Sequence, residues 1–310
     1  MILTVTLNAA VDKRYELEHF SEGEVNRTAL CRFSAGGKGL NVSRAAVLAG
    51  EEVTATGFAG GYTGKLIEKL SEEDGIMTDF VHTEAESRTC INIFDRSSGV
   101  QTEILEGGEA VPKEKVSELM EKYRALIKKS DVVTISGSVP KGAGANVYIE
   151  MIKEAKRLNK PVLLDTSGSV LCECVKARPY LIKPNQDEII QLTGFVPENE
   201  AELIKAGEML QKNGIAYVVI SLGADGSLMI SENGVWKASV PPVKAVNTVG
   251  CGDAMLAALA AGICRQWSEE KLLCHASAIS AANALHERTG YFEEKVYKNL
   301  YPQIQIEKLK

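Results

Sequence analysis

The chain has 310 residues, of which 45% are hydrophobic and 25% charged, and its formal net charge is −6. A chain of this size buries about three quarters of its extended-chain surface, so a full core is available. The acidic balance argues against a nucleic-acid partner, which wants a clustered basic face, but leaves room for a small anion bound by a few local cations. The seven cysteines have irregular spacings, and the CEC of Cys172–Cys174 lacks the two-residue spacer of a zinc or thioredoxin-like site. Reduced thiols in a cytosol fit best. MILTVTLNAAVDKRYE lacks the basic and apolar regions of a signal peptide, and the apolar run 254–264 is too short to span a bilayer. The expectation is a soluble cytoplasmic protein without a membrane partner.

In chain order, ILTVTLN (2–8) reads as a buried strand. Residues 14–33 mix polar and apolar side chains without a helical period. KGLNVSRAAVLAG (38–50) sets Leu40, Val42, Ala45, Ala46 and Ala49 at helical spacing. VTATGFAG (53–60) is a strand, and TGKLIEKLSEEDG (63–75) an amphipathic helix closed by Gly75. Residues 88–105 predict a hairpin, RTCINIFD and VQTEIL about the turn RSSG, with alternation close to period two. Together with 14–33 it is expected to form a small sheet outside the main one, a lid.

The strands DVVTISG (131–137), PVLLDTS (161–167), YLIKPN (180–185) and AYVVISLG (216–223) are mostly apolar on both faces, as in a parallel sheet covered by helices. Between them lie the helical patterns VPKEKVSELMEKYRALIKK (111–129) and NVYIEMIKEAKRLN (146–159). A second hairpin, SLMIS-ENG-VWKASV, occupies 227–240, and the chain is expected to end in two helices, 251–265 and 269–287. The βαβα order predicts one α/β domain over 1–310 with a mostly parallel central sheet.

Several stretches could carry chemistry, and each also has a plain structural reading. SAGGKGLNVSRA (34–45) opens a helix with a glycine turn, where backbone can approach a ligand and N–H groups favour anions; it also suits a tight strand-to-helix connection. GGYTGKL (60–66) resembles a P-loop but is one residue short and has Leu66 where a hydroxyl must hold magnesium, so it reads as a loop and helix start. KPNQDE (183–188) spaces Asn185 and Glu188 as a capping box, or as an amide and a carboxylate turned towards the waters of a magnesium ion. SLGADG (221–226) reads as a turn between strands. In NTVGCGDAMLAALAAG (247–262), Gly250, Cys251 and Gly252 bring successive N–H groups to a helix start, where negative charge can accumulate. Asp253 is there either as a cap or as the carboxylate that takes a hydroxyl proton in phosphoryl transfer. His19, His82, His275 and His286 show no metal spacing.

Taken together, these pieces resemble the ribokinase-like (PfkB) family of carbohydrate kinases, in order and spacing over nearly the whole chain. GGKGLNVSRA is similar to that family's N-terminal glycine signature and NTVGCGDAMLAALAAG to its C-terminal signature, which carries the catalytic aspartate. KPNQDE matches its magnesium element and SLGADG its nucleotide-site turn. Within the family, LNAAVD (7–12), Lys38 in GGKG, and SRTCINI with QTEILEGG are similar to the ketohexose-phosphate kinases, tagatose-6-phosphate kinase and 1-phosphofructokinase.

The resemblance implies a three-layer fold with a lid sheet, and ATP-dependent, magnesium-dependent phosphorylation of a ketohexose monophosphate. It implies Asp253 as base, with Gly250, Cys251 and Gly252 at the transferring phosphoryl. Asp12, Gly36, Gly37 and Asn41 would hold sugar hydroxyls, and Lys38, Arg88 and Arg27 the sugar phosphate, because arginine forks onto phosphate. Lys183, Ser221, Gly223, Gly226, Thr248 and Asn283 would line the ATP side, with Asn185 and Glu188 reaching magnesium through water. A homodimer formed through the lid is also implied.

Ala9 stands where that branch has proline, and Cys251 where the family has alanine, which could make activity sensitive to oxidation. Cys90 and Asn92 depart from the pattern of 1-phosphofructokinases and lean towards the tagatose-6-phosphate type. A ribose or nucleoside kinase on the same fold is the alternative that the cations Lys38, Arg88 and Arg27 argue against. A catalytically silent sugar-binding regulator is disfavoured by the intact GCGD turn. A dinucleotide oxidoreductase is disfavoured by the missing G-x-G-x-x-G after the first strand.

Overall fold

The computed structural model describes residues 1–28 and 30–310. In chain order the elements are β1 (Ile2–Thr6), β2 (Ala10–Leu17), β3 (Leu30–Gly36), α1 (Lys38–Leu48), β4 (Val53–Gly60), α2 (Gly61–Glu73), β5 (Met77–Thr78), β6 (Val81–Thr83), β7 (Arg88–Asp95), β8 (Gln101–Leu105), α3 (Lys113–Ile127), β9 (Val132–Ser136), α4 (Asn146–Arg157), β10 (Val162–Asp165), α5 (Gly168–Cys174), β11 (Leu181–Ile182), α6 (Gln186–Thr193), α7 (Glu200–Lys212), β12 (Tyr217–Ser221), β13 (Ser227–Ser231), β14 (Gly234–Ser239), α8 (Cys251–Cys264), α9 (Glu269–Ala284), α10 (Glu294–Leu300) and β15 (Gln305–Lys308).

The central sheet runs β15-β14-β13-β12-β11-β10-β9-β1-β4-β5, with β6 also pairing with β4. From β5 to β12 every pairing is parallel; β13, β14 and β15 follow as an antiparallel edge. Strands β1, β4, β9 and β10 are buried at every position, which is what apolar runs covered on both faces require. Helices α1, α8 and α9 pack on one face around Leu40, Leu256 and Leu273, and α3, α4 and α7 on the other around Leu119, Met151 and Leu203. Helix α8 is apolar nearly all round and lies against α1 and α9, so its small residues allow close packing deep inside the protein.

A second sheet, β3-β2-β7-β8, stands apart from the first. It includes the segments expected to make a lid, but its first two strands start and end beyond 14–33, at Ala10–Leu17 and Leu30–Gly36. Strand β2 is buried at both ends and half-buried between, so its alternation is masked in the sequence. The register sets Asp12 opposite Ser34 and Cys90, and Arg14 opposite Arg32 and Asn92.

The expected ending in two helices needs correction. Helix α10 and strand β15 follow α9, and β15 pairs with β14, where the four-residue run is too short to announce itself by period. Helices α5, α6 and α7 also lie outside the elements expected from the sequence. The P-loop look-alike is a helix start: Glu86 accepts the Tyr62 and Thr63 N–H groups at 3.0 and 2.8 Å, so a carboxylate occupies the place a phosphate would take. Among the described residues no helix is long and apolar enough to cross a membrane, and all seven cysteines are free thiols.

Candidate active site

A cavity of ≈ 940 Å³ opens between the lid and the C-terminal ends of the parallel strands. That position follows from the topology, because strand ends and the helix starts behind them converge there. Asp12, Gly37, Lys38, Asn41, Arg88, Lys183, Asn185, Glu188, Ser221, Gly250, Gly252 and Asp253 all line it, although they come from widely separated parts of the chain.

At its floor stands the start of α8. Gly250 caps the helix in the left-handed region, at φ 85°, and a Cβ there would lie 2.5 Å from Thr289 and 2.8 Å from the Gly290 nitrogen. Only glycine meets both demands. Gly252 has a different reason: a Cβ would stand 3.0 Å from the Lys183 ammonium. The Gly250, Gly252 and Asp253 N–H groups have no partner among the described residues, whereas Cys251 N–H donates to the Thr248 carbonyl at 3.3 Å. Of the three successive N–H groups expected to meet an anion, those on either side of Cys251 are left available and that of Cys251 is not.

Asp253 is not the cap. Gly250 is, and the Asp253 carboxylate makes no capping bond. It is 5% exposed and accepts a hydrogen bond from the Asn41 amide at 2.9 Å. Burial, then the nearby Asp165 charge, pushes its carboxyl up to about 6, against the pull of Lys38, the Asn41 bond and Lys183. Asn41, expected at sugar hydroxyls, thus has its amide nitrogen committed to the aspartate.

Asp165, at the end of β10, escaped the sequence reading. It is 2% exposed and joins two lysines, with Lys38 Nζ at 3.2 Å from Oδ1 and Lys183 Nζ at 3.4 Å from Oδ2. Burial alone would raise its carboxyl, but Lys183 and Lys38 outweigh burial and hold it below the ordinary carboxylate value. Lys38 is correspondingly raised in spite of burial, by Asp165, Asp253 and Glu188. Its ion-pair partner Asp165 and the nearby Asp253 charge place it by the α8 start.

Asn185 and Glu188 form a complete capping box: the Asn185 side chain accepts the Glu188 N–H at 2.8 Å and Glu188 Oε2 accepts the Asn185 N–H at 2.9 Å. Both also line the cavity, so the capping role leaves them facing it.

At the lid, Arg88 donates to the Asn8 and Glu106 carbonyls, each at 3.1 Å, and its second terminal nitrogen has no partner among the described residues. Asp12 lies against Gly36, where a Cβ would come within 2.1 Å of its carboxyl carbon. Burial pushes Asp12 up to about 6, with Arg44 and Arg88 pulling the other way. Arg27 does not join Arg88: it is exposed in the loop after β2 and does not line the cavity.

On the expected nucleotide side, Ser221 lines the main cavity, and the turn containing Gly223 and Gly226 borders a second one of ≈ 740 Å³ through Leu222, Ala224 and Asp225. Thr248 is exposed beside the α8 start and lines neither. Asn283 is fully buried, accepting the Gly290 N–H at 3.0 Å and donating to the Val249 carbonyl at 3.5 Å. It braces the turn from behind and meets no cavity.

The sequence reading also missed Arg14, Arg32, Asn247 and Arg288, which line the main cavity. Their signal was weak, because none belongs to a motif and each is brought in by sheet register or loop geometry.

Comparison with known proteins identifies the family. The model of the pfkB family carbohydrate kinases matches residues 5–295. A tagatose-6-phosphate kinase of Staphylococcus epidermidis is 37% identical over 309 residues, 99% of each chain. Phosphofructokinase-2 of Escherichia coli, in complex with substrates and products, superposes with TM-score 0.91 at 25% identity, over 97% of this chain and 98% of that one. A Thermotoga maritima protein described as a possible 1-phosphofructokinase gives TM-score 0.88 at 26% identity, over 100% of both. The chain belongs to the pfkB family of carbohydrate kinases.

Proposed function

We propose that the whole chain works as one kinase domain in the cytoplasm, transferring the γ-phosphoryl of ATP to a ketohexose monophosphate, with tagatose 6-phosphate as preferred acceptor. The observation that carries it is the buried Asp253 carboxylate, held by the Asn41 amide at the α8 start, where the Gly250, Gly252 and Asp253 N–H groups have no partner among the described residues. The acceptor hydroxyl gives its proton to Asp253 as its oxygen bonds to phosphorus. The bond from phosphorus to the bridging oxygen breaks, and ADP leaves with that electron pair. The Gly250 and Gly252 N–H groups, with Lys38 and Lys183, stabilise charge on the transferring group.

Asp12 and Gly37 face the sugar hydroxyls and Arg88 its phosphate. The second cavity, beside the Gly223–Asp225 turn, takes the rest of the nucleotide. The site suits magnesium: among the described residues no cluster of three acidic, histidine or cysteine side chains could hold a bare ion, but one oxygen of Glu188 is left over from the capping box. Glu188 and Asn185 would reach such an ion through its waters, and when bound it neutralises nucleotide phosphate charge. The lid excludes water, a competing acceptor. Its exposed Phe33, Ile104 and Leu105 suit a homodimer joined through this sheet.

The second reading is 1-phosphofructokinase, supported by the Thermotoga maritima likeness. ADP release measured with tagatose 6-phosphate, fructose 1-phosphate, fructose 6-phosphate and ribose separates the readings. Preference for fructose 1-phosphate selects the second, and preference for ribose overturns both.

A further inference from the structure

Arg44, on α1, is the largest fully buried side chain among the described residues, at 2% exposure. A guanidinium stays charged in proteins, so its burial demands a full set of acceptors. Nε donates to Asp74 Oδ2 at 2.7 Å, one terminal nitrogen donates to Asn41 Oδ1 at 3.0 Å and to the Thr289 carbonyl at 2.8 Å, and the other donates to the Ala35 carbonyl. Asp74 is held from the other side by Arg288, at 2.6 Å from each carboxylate oxygen.

The contact with Asn41 has a chemical consequence. An amide has one accepting and one donating end. Because Arg44 donates to Oδ1, the Asn41 NH2 group must point the other way, where it donates to Asp253 Oδ2 at 2.9 Å. A flipped amide would set NH2 against a guanidinium and oxygen against a carboxylate, unfavourable at both ends. The spacing also matters: Asn41 and Arg44 are one helical turn apart on α1, so the two side chains meet without any loop movement. A lysine at this position could pair with Asp74 but could not fork to Asn41, Thr289 and Ala35 together.

We propose that Arg44 is a positioning residue for phosphoryl transfer, fixing through the Asn41 amide the orientation and protonation of Asp253. This rests on the reading of Asp253 as the base. The same guanidinium ties the end of lid strand β3, at Ala35, to that amide, so it links the lid root to the reaction centre.

The test compares Arg44→Lys, Asn41→Ala and the double variant, with folding checked by circular dichroism and nucleotide affinity by titration calorimetry. Arg44→Lys is expected to keep nucleotide affinity while kcat falls by about tenfold or more. The acid limb of its kcat profile should move to higher pH, because losing the Asn41 bond disfavours the charged form of Asp253. Asn41→Ala should move the limb the same way, and the double variant should be no worse than Asn41→Ala alone. An unmoved acid limb in Arg44→Lys, or losses that multiply in the double variant, overturns the proposal. Should the Arg44 variants fail to fold, Asp74→Asn, which loosens the anchor and leaves Arg44 in place, is read in the same way, and an unmoved limb again overturns it. Asp253→Asn is assayed in parallel. Near-normal turnover there sinks the base reading and this inference with it, whereas an inactive Asp253→Asn beside an unaffected Arg44→Lys sinks this inference alone.

Discussion

The Lys38 ammonium lies 3.2 Å from Asp165 Oδ1, so a lysine that the sequence assigns to the sugar phosphate is already paired within the protein. Asp165 also meets Lys183, which makes it the common counter-charge of two lysines at the α8 start. Replacing Asp165 by Asn should have two effects of different kind. Stability at neutral pH should fall by about 3–5 kcal/mol in denaturant unfolding, because Lys183 is left buried without its partner. The Asp165 carboxyl is lowered in the folded state, so its contribution is present above the ordinary carboxylate value and lost as pH falls through the folded one. At the same time Asp253 loses a repelling neighbour, and its titration should drop below about 6. The acid limb of kcat/KM therefore moves down in pH, and an upward shift would show that the lysines control Asp253 more than Asp165 does.

Asp253 itself should weaken the fold that holds it. Its carboxyl is raised to about 6, so between that value and the ordinary one near 3.8 the folded state binds more protons than the unfolded chain. The contribution of this group to stability therefore rises as pH falls through 6 and is unfavourable at pH 7. Asp253→Asn removes the charge and keeps the shape. The variant should melt at or above the wild-type temperature at pH 7.5, with the difference shrinking by pH 4.5, while turnover falls by roughly three orders of magnitude. A variant less stable than wild type at pH 7.5 would mean that the attraction of the nearby Lys38 and Lys183 charges exceeds the desolvation cost.

The parts of this site legible in the sequence are those set by backbone. Gly250 and Gly37 mark turns at φ 85° and 98°, each opening a helix, and the NQDE run states its own capping box. The parallel strands are legible for the same reason, because burial on both faces leaves a continuous apolar run. What stayed hidden is pairing between distant side chains. Asp165 looks like any polar residue at a strand end until β10 and β11 bring it to Lys183. Arg44 looks like a solvated helix charge until Asp74, thirty positions on, comes to meet it. Arg27 differs in the opposite direction: grouped with Arg88 as a phosphate cation, it lies exposed in the loop after β2 and does not line the cavity.

Lys38 and Arg88, grouped together by the sequence, should separate in kinetics. Lys38 is paired with Asp165 and felt by Asp253 and Glu188, whereas one terminal nitrogen of Arg88, on lid strand β7, has no partner among the described residues. Lys38→Met should lower kcat about 10²-fold for any acceptor sugar, since a charge facing the transition state is lost. Arg88→Ala should instead raise KM for the sugar phosphate by about tenfold or more and leave an unphosphorylated ketohexose nearly unaffected. Steady-state assays with paired phosphorylated and free sugars decide the matter. Equal losses on both sugars for Arg88→Ala would remove it from the phosphate site.

Cys251, between the two glycines at the α8 start, should prove quiet. Burial, and then the neighbouring Asp253 charge, pushes its thiol up to about 11, so at neutral pH almost none is thiolate, and the thiolate is the reactive form. Its N–H is turned to the Thr248 carbonyl, away from the anion cradle, and its side chain does not line the main cavity. Its chemistry in the turn is therefore that of a small apolar residue, and the oxidation sensitivity expected from the sequence should not appear. Cys251→Ala should retain kcat within about threefold, since it removes neither a donor nor a contact to the reacting groups. Iodoacetamide at pH 7.5 should label Cys251 slowly, as followed by mass spectrometry of its tryptic peptide. Rapid labelling with parallel loss of activity, prevented by bound nucleotide, would instead place the thiol within the phosphoryl path.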